Sequence, residues 1–466
     1  MKNLFKSALW LSLLVFTFSC TDNDDNPVPA SLEVKDFVWK GMNLYYLWQA
    51  DVTDLADDRF ANQSQLNNFL EGFDEPTTLF NALRVDTSID RFSVIYSDYS
   101  LLEGALSGNT LNNGMDFALR YKQGSTTDIY GWVRYIIPNS DAATKSIQRG
   151  DIFYAINDTP LTVDNFRSLL ANNTYTLSLA DYDGGNITPN GESVTLTKTA
   201  LAENPILLST VINSGSHNIG YLMYNAFYSN YDNQLNSVFG TFQSQNVTDL
   251  VLDLRYNSGG SVSTATKLAS MITGQFTGQL FAKQQWNAKA QSYFESNNPS
   301  SIENRFVGNL NSLNLNKVYI LTSNATASAS ELVINCLKPY ITVVQIGTTT
   351  TGKNVGSITL YDSPTFAKQN VNPRHKYAMQ PIVLKIVDKN GFGDYTSGIV
   401  PTTPLPESLD NLGVLGNPDE PLLNAAINQI TGSGRPIPSM PRNIQKDFTD
   451  AKTMVPLKTE MYVERK

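Results

Sequence analysis

Between Pro205 and Leu405 short apolar runs alternate with amphipathic ones, and no other feature narrows the possible folds so far. IGYLMYNAF reads as a strand, YDNQLNSVFGTFQSQ as a helix with Leu235, Val238, Phe239 and Phe242 on one face, and DLVLDL as a buried strand. Apolar strands separated by helices belong in a parallel-rich sheet covered on its faces, so an α/β domain is expected over 205–408. At 466 residues the chain exceeds what one core accommodates, and two other textures precede this one. Over 31–107 Val34, Phe37, Val38, Met42, Tyr45 and Trp48 recur at three-to-four spacing, which predicts a small helical N-terminal domain. Over 108–204 short alternating runs separated by Asn/Gly/Asp turns, as in YTLSLADYDGGNITPNGESVTLTK, predict a β-rich domain. Residues 409–466 hold one helical stretch, PLLNAAINQITG, and a Pro-rich tail of mixed charge.

The first residues, MKNLFKSALWLSLLVFTFSC, place a short basic head before an apolar run of signal-peptide length, too short to span a bilayer comfortably. The pattern resembles a bacterial lipoprotein signal over 1–19, with Cys20 as the acylated first residue of the mature chain and 20–30 as a polar tether. That resemblance implies a lipid-anchored protein of the bacterial cell envelope, facing the periplasm or the outer surface. Cys336 is the one other cysteine, so no intramolecular disulfide is available once Cys20 is acylated, and its apolar helical context suits a small buried hydrophobe. A net charge of −9 without a basic run makes nucleic acid a poor partner.

The candidate groups for chemistry are few. There are two histidines, His217 and His375, each in an undistinguished polar setting, and neither HExxH nor CxxC spacing occurs, so no metal is expected. In YILTSNATASASELVINCLKPY a strand passes through small residues into an apolar helix, a turn that can expose a hydroxyl beside the free N–H groups of a helix start. Ser328 to Glu331 also has the spacing of a capping box, in which the serine only satisfies the helix end. In PYITVVQIGTTTTGKNVGSITLY the single charge is Lys353, set among Thr, Gly and buried-strand sequence where desolvation is expected. Desolvation is what a lysine base requires, because bringing its pKa from about 10.4 to about 7.5 costs roughly 4 kcal/mol.

Taken in order, LDLRYNSGG, TASASE, TTGKNVGS and SGIVP resemble the carboxy-terminal processing, or tail-specific, protease family of serine–lysine peptidases. The resemblance implies a multidomain α/β protein whose catalytic domain is of the ClpP/crotonase-like type. It makes Ser328 the nucleophile and Lys353, twenty-five positions later, the general base. It puts the oxyanion hole at the backbone N–H of Ala329 and of Gly259 or Gly260, and it requires no cofactor. GMDFAL, with PNSDAATKSIQRGDIFYAIND after it, resembles a PDZ domain, which assigns Gly114, Met115, Asp116 and Phe117 to a loop that holds a peptide carboxylate. The implied partners are protein or peptide substrates with free C-termini, and the membrane through Cys20. The chain departs from the family pattern at Pro339, Thr348, Asn354 and Ser357, which leaves the third catalytic group open, with Ser357 and Glu331 as the candidates to support the dyad. Two other readings stand beside this one: a catalytically silent peptide-binding lipoprotein of the same fold, and an esterase or amidase that uses the same dyad.

Overall fold

Five strands of the α/β region, His217–Tyr224, Asp249–Asp253, Lys317–Thr322, Thr342–Gly347 and Thr403–Pro404, lie side by side in parallel, and Ile206–Ser214 closes one edge antiparallel. The computed structural model describes residues 28–433, 447–454 and 460–464, so the signal sequence, Cys20 and most of the tether lie outside the described residues. Successive side chains of a strand point to opposite faces, and both faces of this sheet are apolar. Leu222, Tyr224, Leu250 and Leu252 pack under the helices Asp232–Ser244, Val262–Thr273 and Ala329–Leu337. Tyr221, Met223 and Val251 face the other way, against the helix Pro421–Thr431 and the β-rich region through Tyr130, Trp132 and Tyr135.

A second mixed sheet runs in the order Gly260–Ser261, Met461–Tyr462, Val355–Ser357, Ile382–Asp388, Leu280–Trp286, Glu303–Arg305. Its second strand comes from the far C-terminus, where the mixed-charge sequence carries no periodic strand signal. The β-rich region is antiparallel: Met115–Tyr121, Ile129–Ile136, Ile152–Ile156, Thr174–Asp183 and Asn186–Thr197 pair in that order. Its last hairpin turns at Asp183-Gly184-Gly185-Asn186, where both glycines take positive φ. Phe166 and Leu170 of the helix Phe166–Ala171 cover one face of this sheet.

The N-terminal helices Glu33–Tyr45, Gln63–Glu71 and Pro76–Ala82 form as the periodicity predicts, but they have no core of their own. Phe37, Val38 and Met42 pack into the same cluster as Leu360, Met379 and Leu384 of the α/β region, and Val94–Tyr96 pairs with Ala378–Gln380. A helical stripe shows which face is buried; it does not show against what.

Candidate active site

Ser328 stands where the strand Lys317–Thr322 gives way to the helix Ala329–Leu337. Its backbone lies at φ 65° and ψ −118°, a conformation that costs a non-glycine residue on the order of 1–3 kcal/mol and persists only where its surroundings enforce it. Glu331 does so. Its buried carboxylate accepts from the N–H of Ser328 (2.8 Å), of Lys353 (2.8 Å) and of Gly352 (2.7 Å), and from Thr350 Oγ1 (2.5 Å). One side chain thus fastens the turn that carries the serine to the loop that carries the lysine. Burial raises the Glu331 pKa, against the lowering effect of these four donors. Both sides of the capping box are in place, but Ser328 Oγ, facing the helix start and wholly buried, completes no hydrogen bond of normal geometry among the described residues.

Lys353 is also wholly buried. Its ammonium lies 3.2 Å from Glu460 Oε2 and 4.2 Å from the centre of the Phe92 ring. Burial pulls the lysine pKa below its ordinary value, and Glu460 works in the opposite direction. Burial likewise raises the Glu460 carboxyl, against the pull of Lys353. Ser357 Oγ donates to Glu460 Oε2 (2.7 Å) and accepts from Gln380 Nε2 (3.0 Å), so it braces the lysine's partner. The SGIVP stretch props the loop from the other side, Ile399 N–H donating to Thr350 Oγ1 (2.7 Å).

The LDLRYNSGG turn is held by buried charge. Arg255 is enclosed by Asp253 (2.8 Å), Glu420 (2.7 Å) and Glu407 (3.0 Å). Burial would raise the Glu407 pKa, but Arg149 and Arg255 beside it bring it down to about 2. Asn257 then stitches turn to elbow: its backbone oxygen accepts from Ala327 N–H (3.1 Å) and Ser330 Oγ (3.0 Å). Gly259 sits against the serine, where a Cβ would meet Ser328 Oγ at 2.7 Å. Its N–H, expected at the oxyanion hole, instead donates to Asn257 Oδ1 (2.9 Å), because the Asn side chain folds back over the turn. Gly260 is wedged between Phe227 and Met461, and a Cβ there would overlap the Phe227 carbonyl. Ala329 N–H, at the first helical position, has no intrahelical acceptor, which leaves it as a donor toward an oxyanion.

The expected carboxylate loop differs from its sequence reading. Gly114 N–H donates to Asn112 Oδ1 (2.8 Å) and Met115 N–H to Asn113 Oδ1 (3.2 Å), so two Asx turns consume the amides assigned to a peptide carboxylate. Met115 and Phe117 are core residues, Phe117 lying edge-on to Phe153. Asp116 is buried 3.9 Å from Arg134, and burial pushes its pKa up to about 6 against the attraction of Lys452 and Arg134. The outer side of Met115–Tyr121 is paired with the strand Asp447–Asp450.

Neither histidine serves Ser328. His217 pairs with Asp249 (2.7 Å) at the start of its strand, the opposite end of the parallel sheet from the elbow. His375 spends both ring nitrogens, on Asp362 Oδ2 (2.8 Å) and on Tyr377 N–H (3.1 Å). Cys336 is buried. Sequence reasoning missed Phe92, Gln380 and Glu460. Gln380 alone left a trace, as a lone polar residue beside the apolar run PIVLKIVD.

Two stretches match models of one family, residues 33–94 the "Peptidase S41 N-terminal domain" and residues 218–365 "Peptidase family S41". A crystal structure from Bacteroides fragilis named for the S41 protease family is similar over 86% of this chain and 98% of that one, at 28% identity and a TM-score of 0.66. A photosystem II D1 C-terminal processing protease shares the fold over 82% of this chain and 94% of its own, at 18% identity and a TM-score of 0.50. A CtpA-like serine protease of Staphylococcus epidermidis is 28% identical over 138 residues, 30% of this chain; the match spans 26%, about a quarter, of that relative's length.

Proposed function

We propose, on the premise that this chain carries both regions of peptidase family S41, that it is a serine-type endopeptidase with Ser328 as nucleophile and Lys353 as general base. The observation that carries the reading is Ser328: a buried hydroxyl that completes no regular hydrogen bond among the described residues, on a strained elbow fastened through Glu331 to the loop of a lysine whose charge burial disfavours. The neutral Lys353 amine takes the Ser328 proton as Oγ adds to the scissile carbonyl, and the carbonyl oxygen becomes an oxyanion beside Ala329 N–H. The ammonium returns the proton to the leaving amine as the C–N bond breaks. Water then releases the acyl group from Ser328 by the same route.

The family resemblance directs the cuts toward substrate C-termini. The engaged amides of Gly114 and Met115 favour recognition by strand addition along the β-rich edge over capture of a terminal carboxylate. Cys20 anchors the chain to the bacterial envelope in this reading. The test is to incubate the full chain with unfolded polypeptides, and with one peptide in free-acid and amidated forms, and to read the fragments by mass spectrometry. Fragments whose formation is indifferent to amidation are expected; a strong preference for the free acid would restore the carboxylate loop. Absence of fragments from every substrate would favour the silent peptide-binding alternative.

A further inference from the structure

The C-terminal segments enter both working surfaces. Asp447–Asp450 adds to the edge of Met115–Tyr121 as an antiparallel strand, Asp447 opposite Arg120 and Asp450 opposite Ala118, so it runs toward the Gly114 turn. Arg120 pairs with Asp447 (2.5 Å), and Arg134 with Asp447 (3.2 Å) and Asp450 (3.0 Å). Phe448 lies edge-on to Tyr121 and Phe166. Farther on, Met461–Tyr462 lies between Gly260–Ser261 and Val355–Ser357, parallel to both, and Val463 N–H donates to Ser357 O (3.0 Å). The Glu460 carbonyl oxygen and Ser328 Oγ each lie 2.7 Å from the point a Gly259 Cβ would occupy. Glu460 at the same time places its carboxylate on Lys353.

A strand that pairs on both sides, and whose carbonyl flanks with Ser328 Oγ the same point beside Gly259, has the geometry of a bound peptide. The strands that hold it are only two and three residues long, which makes this the part of the sheet with the least ladder to lose. An ammonium paired with a carboxylate cannot accept the serine proton. We propose that segments 447–454 and 460–464 are a tethered peptide ligand of this molecule's own reading edge and cleft, which substrate must displace before Ser328 can react. The inference rests on the peptidase reading above and adds the chemistry of the competing chain. That chain is an extended polypeptide with two carboxylates set for Arg120 and Arg134 about an aromatic side chain, as in Asp447-Phe448-Thr449-Asp450.

Two measurements on the full chain test this. In the unmodified protein, amide exchange at Val463, bonded to Ser357 O, is compared with exchange at Ile386, bonded to Asn354 O. A displaceable strand opens locally, so Val463 should exchange at least ~100-fold faster; equal protection makes the strand a fixed part of the fold and overturns the proposal, whatever the enzyme does. In the second, KM and kcat for a labelled unfolded polypeptide are compared between the parent, Asp447→Asn and Phe448→Ser, which loosen the tail at Arg120 and Arg134 and at Tyr121 and Phe166 without touching Ser328 or Lys353. A tether holds its ligand at an effective concentration of about millimolar, so it acts as a competitor in cis. Weakening it should lower KM at least ~10-fold and leave kcat unchanged. An unaltered KM, or a fall in kcat alone, would make the segment a fixed part of the fold and would overturn the proposal. Phe448 is half-buried and its variant can fail to fold; Asp447→Asn keeps shape and decides the point alone. If no form cuts polypeptide, the peptidase reading fails, and the exchange measurement still decides the tail.

Discussion

Replacing Gly259 with alanine sets a methyl group in the tightest place of the site. Its Cβ would stand 2.5 Å from Ser328 Cβ, 2.7 Å from Ser328 Oγ and 2.7 Å from the Glu460 carbonyl oxygen, at a backbone φ of 117° that side-chain-bearing residues rarely adopt. The backbone conformation alone costs on the order of 1–3 kcal/mol. The contacts are closer than real Cβ atoms show, so Ser328 or the turn must move, and a displacement of about 1 Å at reacting atoms costs roughly 100-fold in rate. We therefore expect kcat/KM to fall at least ~100-fold. Gly391→Ala provides the control: φ there is 85°, but nothing lies within 4 Å of the added Cβ. It should cost only about 1–2 kcal/mol of stability and leave kcat/KM within about twofold. The assay is cleavage of a labelled unfolded polypeptide at low concentration, with unfolding midpoints from circular dichroism. If the two variants show the same kcat/KM, the close approach of the NSGG turn to Ser328 plays no part in the working geometry.

Three further outcomes are expected. Glu331→Ala removes one acceptor from four buried donors and should cost at least about 3 kcal/mol in denaturant unfolding; a loss below about 1 kcal/mol would mean the elbow and lysine loop are held by other means. For Asp116, burial raises the folded pKa from 3.8 to about 6, so its favourable contribution is complete below the unfolded value and is lost as pH rises through 6. Asp116→Asn should accordingly be more stable than the parent above pH ~7, by on the order of 3 kcal/mol, with no gain at pH ~4; a gain independent of pH would rule out the carboxyl as its source. Because burial lowers the Lys353 pKa and the base acts when neutral, kcat/KM, which reports the free protein, should rise with pH and level off below the ordinary lysine value, and Glu460→Gln should move that rise to lower pH. A kcat/KM that falls as pH increases through neutrality would remove Lys353 as the base.

The parallel sheet was legible because buried strands and one-faced helices carry local, periodic signals; IGYLMYNAF and DLVLDL name their own faces. Ser328 and Lys353 were legible through spacing and through the scarcity of charge around Lys353. Glu331 was visible as a capping residue, but not as the tie between two loops, since that depends on where Gly352 and Lys353 fold back. Glu460 was illegible: its partner lies more than a hundred residues away, and a glutamate in a mixed-charge tail looks like any solvated one. The shared core of the N-terminal helices was hidden for the same reason. The turn at Asn112-Asn113-Gly114 is readable: adjacent Asn residues before a glycine favour Asx turns, which here take up the amides that the PDZ-like resemblance requires free.

The central claim is that Ser328 and Lys353 act as one catalytic unit, and cleavage of an unfolded polypeptide at saturating concentration by single variants tests it most directly. Ser328→Ala and Lys353→Ala should each lose about a thousandfold or more in kcat with unfolding midpoints near the parent's, because loss of either member removes the covalent route. His217→Ala and His375→Ala, whose rings are committed to Asp249 and Asp362, should stay within about twofold of the parent. A Lys353→Ala protein that folds and keeps more than about a tenth of parental kcat would contradict the account.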